Sequence, residues 1–461
     1  MQANTASKGY NGARNGRYGG VIALNHTVNV SKLTNKMNLT ASRPNTNNAS
    51  VVLAGGIFGH TDAEGTIDGN NEIVNYGKVL SSHSVNTKYT AIGGVAGVSN
   101  TSLKNVKNAG LVQFTSGALA YKNVYLGGVV ALAGADITLD SVTNEGIVYY
   151  YENQVDSNNN NAGFGSYNVC VGGILGSDSS DAAVGVAVAA TTVQNSTNSG
   201  TVAAYTKKRA NGRSLAMGGI VGALTNTASK VSMCTNTGVM GNKTDNNNRV
   251  GSGDAARVIR TAGGCSFVGG IAGFVEGADG ALISIEDCTY NQTVGNTYSY
   301  NANYGNSSNR GEAGGLVSFA KYANIKNSNC TVTLWTQNTT DHGGLVCQLI
   351  NSNLEGCTLS NSTLGNGGGG AVGGFVGCTI ASTVKNNTLA NCTLGFNAAT
   401  ASKGVLSGIS DDASSFTDNK ISGTFLGEAI TLSSAMIGAG GGADKLTCGN
   451  PTVTGTALYT E

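Results

Sequence analysis

The chain has 461 residues, with 27 Lys+Arg against 26 Asp+Glu, a formal net charge of +1 and charged residues at only 11%. That balance excludes bulk electrostatic attraction as the basis of function, so no nucleic-acid partner is expected. Glycine is abundant at 69 residues, proline is nearly absent at 2, and Glu, Lys and Arg are scarce, which excludes a helical bundle and a charge-driven disordered chain. What remains is short β-strands joined by tight turns.

Residues 1–18 are polar and glycine-rich without periodicity and read as an extended N-terminal segment. From there one phrase recurs: two glycines, two apolar residues and a small one. It stands at Gly19-Gly20-Val21-Ile22-Ala23, Gly55-Gly56-Ile57-Phe58-Gly59, Gly93-Gly94-Val95-Ala96-Gly97, Gly127-Gly128-Val129-Val130-Ala131 and Gly172-Gly173-Ile174-Leu175-Gly176. It returns at Gly218-Gly219-Ile220-Val221-Gly222, Gly269-Gly270-Ile271-Ala272-Gly273, Gly314-Gly315-Leu316-Val317-Ser318, Gly343-Gly344-Leu345-Val346-Cys347 and Gly373-Gly374-Phe375-Val376-Gly377. Successive copies lie 36, 38, 34, 45, 46, 51, 45, 29 and 30 residues apart, so a complete unit needs about thirty residues and longer spacings carry insertions.

Within a unit, the phrase is followed by an alternating apolar and polar run, such as Ile67 to Val79 or Ile137 to Val148. Inside it Asn-x-Gly recurs at Asn75, Asn108, Asn144, Asn198 and Asn236, a turn repeated in register, and a third strand leads back to the next glycine pair. Three strands and three turns per unit predict an all-β fold, a single parallel β-helix (β-solenoid) of about ten to eleven coils with loop insertions. Solenoid repeats span 19–404, and 405–461 form a degenerate coil and C-terminal cap. A propeller is the competing use of such a period; its blades need antiparallel strands in more even units.

The Gly-Gly-Φ-Φ-Gly phrase, followed by Φ-x-Asn-Cys/Ser-x-Asn-x-Gly-x-Val, resembles the GLUG-type β-helical repeats of bacterial surface proteins and adhesins, many from Bacteroidetes. The resemblance covers roughly residues 19–425 and implies a cell-surface location. After residue 280 the Asn-x-Gly turn gives way to Tyr290-Asn-Gln, Val332-Thr-Leu and Leu359-Ser-Asn, so the turn there is expected to differ.

Candidate chemistry is sparse. Cys234, Cys288, Cys330 and Cys357 fall at one repeat position that holds Ile73, Val106, Val142 and Ser196 in earlier coils, which predicts a ladder of buried thiols. The other cysteines leave one or two disulfides open, and no spacing fits a metal site. Asp136, Asp140 and Glu145 share a coil, but matching coils offer Lys104, Lys107 and Gln194, so the carboxylates read as solvated turns. Ice binding would need unbroken Thr ladders, and Thr331 and Thr333 look isolated. No catalytic residue, metal or cofactor is expected.

The insertions are the informative part. Those at 149–170, 203–216, 240–267 and 295–312 precede glycine pairs in consecutive coils and so should emerge side by side at one corner. They gather Tyr150, Tyr151, Tyr167, Tyr205, Tyr298, Tyr300 and Tyr304 with Lys207, Arg209, Arg213, Arg249, Arg257 and Arg260. Aromatic faces beside guanidinium and amide donors suit a surface glycan or a protein, and these thirteen residues are the expected binding set. The plainer expectation is that the loops pack over the rod and hide outer apolar positions such as Leu175, Val221 and Val317.

No apolar run is long enough for a transmembrane segment, and the first residues lack the regions of a secretion signal. An extracellular protein whose leader has been removed is the expectation: a non-enzymatic adhesin or stalk module. The alternatives are a self-assembling fibre or sheath subunit and a polysaccharide-degrading enzyme on the same scaffold.

Overall fold

The repeat stacks as a parallel β-helix. The computed structural model describes residues 15–459 apart from 43–50, 84–88, 117–122, 156–167, 179–188, 209–213, 242–258, 261–265, 293–297, 302–310, 338–340, 367–369, 396–401 and 440–447. Sheet A has eleven strands, from Asn15–Gly19 to Lys403–Gly404, each ending at a glycine that in the first ten is the first of a pair. Sheet B holds the eleven strands that follow the pair, from Ile22–Asn25 to Ser407–Ser410. Sheet C takes the rest of each coil.

One column of sheet C runs unbroken through Thr34, Val74, Lys107, Thr143, Thr197, Thr235, Thr289, Asn329, Thr358, Thr388, Lys420 and Ala457, each residue paired with the next. At the usual inter-strand spacing of about 4.8 Å the rod is about 50 Å long. The propeller reading is excluded because neighbouring coils pair in parallel. Among the described strands the antiparallel pairing joins Lys420–Phe425 to Glu428–Ala429, in the closing coil.

The glycine pair and the Asn-x-Gly turn are two sides of one device. A Cβ on the first glycine, Gly55 for example, would collide with the carbonyl of Phe58, because the chain folds sharply back on itself there. A Cβ on the second, Gly56, would run into the Gly94 carbonyl and the Asn75 side chain. The interior is thus narrowest where the asparagine faces the glycine. Asn35, Asn75, Asn108, Asn144, Asn198 and Asn236 form a buried ladder in which each amide Nδ2 donates to the Oδ1 of the next at 2.8–2.9 Å. Each Oδ1 from Asn75 to Asn144 also accepts the N–H of its own turn glycine.

Beyond residue 280 the ladder position holds Tyr290, Cys330, Leu359 and Leu389 in register. Each of these side chains still abuts the second glycine of its coil, at Gly270, Gly315, Gly344 and Gly374. The turn changes as the sequence expected, from a self-bonding amide column to an apolar one. Cys330 therefore belongs to this column and not to the thiol column, where Ser328 stands between Cys288 and Cys357.

The alternating run is not one strand. It breaks at a left-handed corner that recurs at Asn105, Ser141, Asn195, Met233, Asp287, Asn327, Gly356, Asn386 and Asp418, with φ between 47° and 66°. The residue after each corner is buried, and its side chain satisfies groups the corner strands. Ser196 Oγ donates to Gln194 O and accepts the Val142 amide, and Asn387 Oδ1 accepts the Cys357 amide. That explains why Ser, Cys and Asn interchange there.

The core has two parts. The main one draws on all three sheets and includes both apolar residues of the phrase, for example Ile57 and Phe58. Leu175, Val221 and Val317 belong to it, so they are not outer positions awaiting a cover. A second cluster draws on sheets A and B alone, joining Leu53, Tyr125, Cys170 and Phe267 of A to Val98, Leu132 and Phe274 of B. The small fifth residue of the phrase permits this approach: a Cβ on Gly97 or Gly222 would meet the sheet A backbone.

Candidate functional site

At the edge where sheet C hands over to sheet A lie 156–167, 209–213, 261–265 and 302–310, parts of the four expected insertions that are outside the described residues. There the chain passes from Val148–Val155, Val202–Lys208, Ile259–Arg260 and Tyr298–Asn301 to Asn168–Gly172, Ser214–Gly218, Ser266–Gly269 and Gly311–Gly314. The exit strands pair in succession, and so do the return strands. The four insertions do not share one exit: Met240 bridges Val202 and Arg260 pairs with Tyr205, so 242–258 falls inside the sheet C step, and 293–297 likewise precedes Tyr298–Asn301.

Tyr150 does not belong to an exposed surface. It is fully buried in the main core and stacks on Phe114, with centroids 5.7 Å apart and planes 5° from parallel. Period-2 alternation puts it on the face of buried Val148, and the neighbouring tyrosines take the other face. Tyr151 is half-buried and lies 6.1 Å from Tyr149, with Ile147 and Ala203 beside them. The register brings Tyr151, Tyr205 and Arg260 into one column, continued by Asn301. Lys207 lies in the same strand as Tyr205. Tyr300 pairs with Ile259, and Tyr298 pairs with the buried Leu334. Tyr167, Arg209, Arg213, Arg249, Arg257 and Tyr304 lie outside the described residues.

Elsewhere polar groups bind coils together. Asp136 accepts the Ala190 amide at 2.7 Å, Asp140 accepts Asn195 Nδ2 at 2.8 Å, and Glu145 pairs with Lys107 at 2.5 Å; each partner is one coil away. The Asn195 hydrogen bond holds Asp140 below its ordinary pKa. Nine cysteines among the described residues are free, eight of them buried. Burial pushes the thiols of Cys170 and Cys357 up to about 12 and that of Cys392 to about 11, so they remain protonated and poorly nucleophilic. Among the described residues no group of three or more His, Cys, Asp or Glu side chains is placed to hold a metal ion.

Three further features were not legible beforehand. Asp178 is fully buried and accepts Thr225 N at 2.7 Å, Asn226 N at 3.1 Å and Ser229 Oγ at 2.6 Å, clamping the following coil; burial pushes its pKa up to about 6. Glu312 and Asp341, paired on adjacent coils, turn the second core polar; Glu312 accepts Gln348 Nε2 at 2.9 Å and Asp341 accepts the Ala371 amide at 2.6 Å. A shallow cleft of about 470 Å³ lies against the corner made by Tyr322, Asn351 and Ala381, with Asp279 on its rim, and Lys321 Nζ stands 5.6 Å from the centroid of the Tyr322 ring.

No family model matches the chain, and no curated protein or solved structure is significantly similar to it.

The threonines also differ from expectation. Thr333 continues through Thr363, Thr393 and Thr424, and Thr331 pairs with Asn291 and lies 3.3 Å from the Ser360 hydroxyl. The register could not be counted from sequence because the left-handed corners at Asn361 and Asn391 change the number of residues per turn.

Proposed function

We propose that the chain is a non-enzymatic module of the cell exterior, a stalk or adhesin that holds a loop-built contact surface on a rigid β-helical post. The observation that carries this reading is the edge between sheets C and A, where Tyr151, Tyr205 and Arg260 stand in register on three consecutive coils. Tyrosine and arginine recur in that edge's column at Tyr151, Tyr205 and Arg260, a composition suited to glycan or protein contact. The post itself gives reach: its carboxylates and amides are largely occupied in fastening one coil to the next.

A glycan array and a pull-down from host-surface extract test the reading, using the intact chain and a variant in which residues 243–257 are replaced by a short Gly-Ser linker. Binding by the intact chain that is lost in the variant supports the loop surface; equal binding by both removes it. Depolymerisation of a polysaccharide, abolished by a single carboxylate substitution, would replace the proposal with the enzymatic alternative.

A further inference from the structure

The two ends of the rod carry what its flanks do not. Among the described residues, eight large apolar side chains are exposed, and six of them lie in the first or the closing coil: Val21 and Met37 at one end, Leu426, Leu432, Val453 and Leu458 at the other. Among the described residues both ends also present open strand edges. Asn15–Gly19, Ile22–Asn25, Thr34–Asn35 and Leu39–Ser42 each pair only with the second coil. Thr452–Thr454 and Ala457–Leu458 pair only with the coil before them. Open edges of this kind template further pairing.

The charges at the two ends are opposite. The described part of residues 15–61 holds Arg17, Lys32 and Lys36 and no carboxylate. The described part of residues 405–459 holds Asp411, Asp412, Asp418 and Glu428 against Lys420. Like ends repel and unlike ends attract, which selects head-to-tail over head-to-head contact.

We infer that the closing face of one copy docks on the first coil of a second copy, extending the parallel sheets from molecule to molecule. Ala457–Leu458 already terminates the column that begins at Thr34–Asn35, so adding the next copy repeats the step made eleven times within the chain. Such a contact is heterologous and does not close, so it propagates into a filament. This goes beyond the loop-surface reading and needs none of the loops.

Sedimentation velocity and negative-stain microscopy, at low and high salt and over rising protein concentration, test it. The wild-type chain is expected to lengthen at constant width with concentration and to shorten in high salt. Val453→Lys on the closing face and Lys36→Glu on the first coil, both at exposed positions, are each expected to lose this growth while keeping the wild-type melting temperature. Mixed, the two variants should form one-to-one dimers through their remaining compatible faces. A wild-type chain that stays monomeric at the highest concentration in low salt overturns the inference. So does an assembly that both substitutions leave intact, which would mark a side-by-side contact.

Discussion

Asp178 is a carboxylate whose burial outweighs its donors, since its pKa rises to about 6 although two backbone amides and two hydroxyls point at it. Between its ordinary value of 3.8 and about 6 the folded chain holds a proton that the unfolded chain releases. Stability contributed by this group is therefore present at low pH, lost as pH rises through that window, and level above it, a swing of roughly 3 kcal/mol. Urea unfolding at intervals between pH 4 and about 7 should show this slope, and Asp178→Asn should flatten it; an unchanged slope in the variant would assign the effect to other groups. Met233 makes the opposite case. It occupies the left-handed corner with φ 52° and is 53% exposed, where other coils place Asn, Asp, Ser or Gly. Met233→Asn should raise stability by about 1 kcal/mol, read as a higher melting temperature, because asparagine enters this conformation at lower cost.

At the scale of the element, the asparagine ladder and the glycine pair depend on each other. Asn144 accepts from Asn108, donates to Asn198, and within its own turn donates to the Gly146 carbonyl and accepts the Gly146 N–H, all in a fully buried site. Asn144→Ala leaves donors and acceptors without partners and should cost about 3 kcal/mol in denaturant unfolding. Removing the solvent-facing Thr143 hydroxyl in the neighbouring position should cost under about 0.5 kcal/mol. The period of the phrase, its parallel stacking and the buried thiol column could be read from the sequence, because each rests on one residue type recurring in register. The faces could not be read so well. Tyr150 was misplaced because three consecutive tyrosines give alternation no polar residue by which to mark the outer face. Cys330 was misplaced because it lies two residues after Ser328 and is buried like it, so alternation alone does not say which of the two belongs to the thiol column. Asp178 sits beside an insertion, outside the repeat, so nothing periodic pointed to it.

For the molecule as a whole, the repeat fixes a post and leaves the insertions to differ. The thirteen residues of the expected binding set resolve into a buried Tyr150, a half-buried Tyr151, a column shared by Tyr151, Tyr205 and Arg260, and others beyond the described residues. Glycine-pair spacing tells which coil carries extra residues but not the step at which they leave: 179–188 follows sheet B, and 242–258 interrupts sheet C. Ion pairs from coil to coil, such as Lys230 with Glu286 at 2.9 Å and Lys321 with Glu276 at 2.8 Å, add register without adding much stability at the surface.

All of this depends on residues far apart in sequence standing one rung apart in space. Cysteine pairs introduced at Thr235 and Thr289, which are direct register partners, should oxidise to a disulfide in the folded protein. A pair at Thr197 and Thr289 is two rungs apart, roughly 9–10 Å, and should not. Quantitative cross-linking of the first pair with none of the second is the result expected. Equal cross-linking of both, or of neither, would contradict the stacked coil.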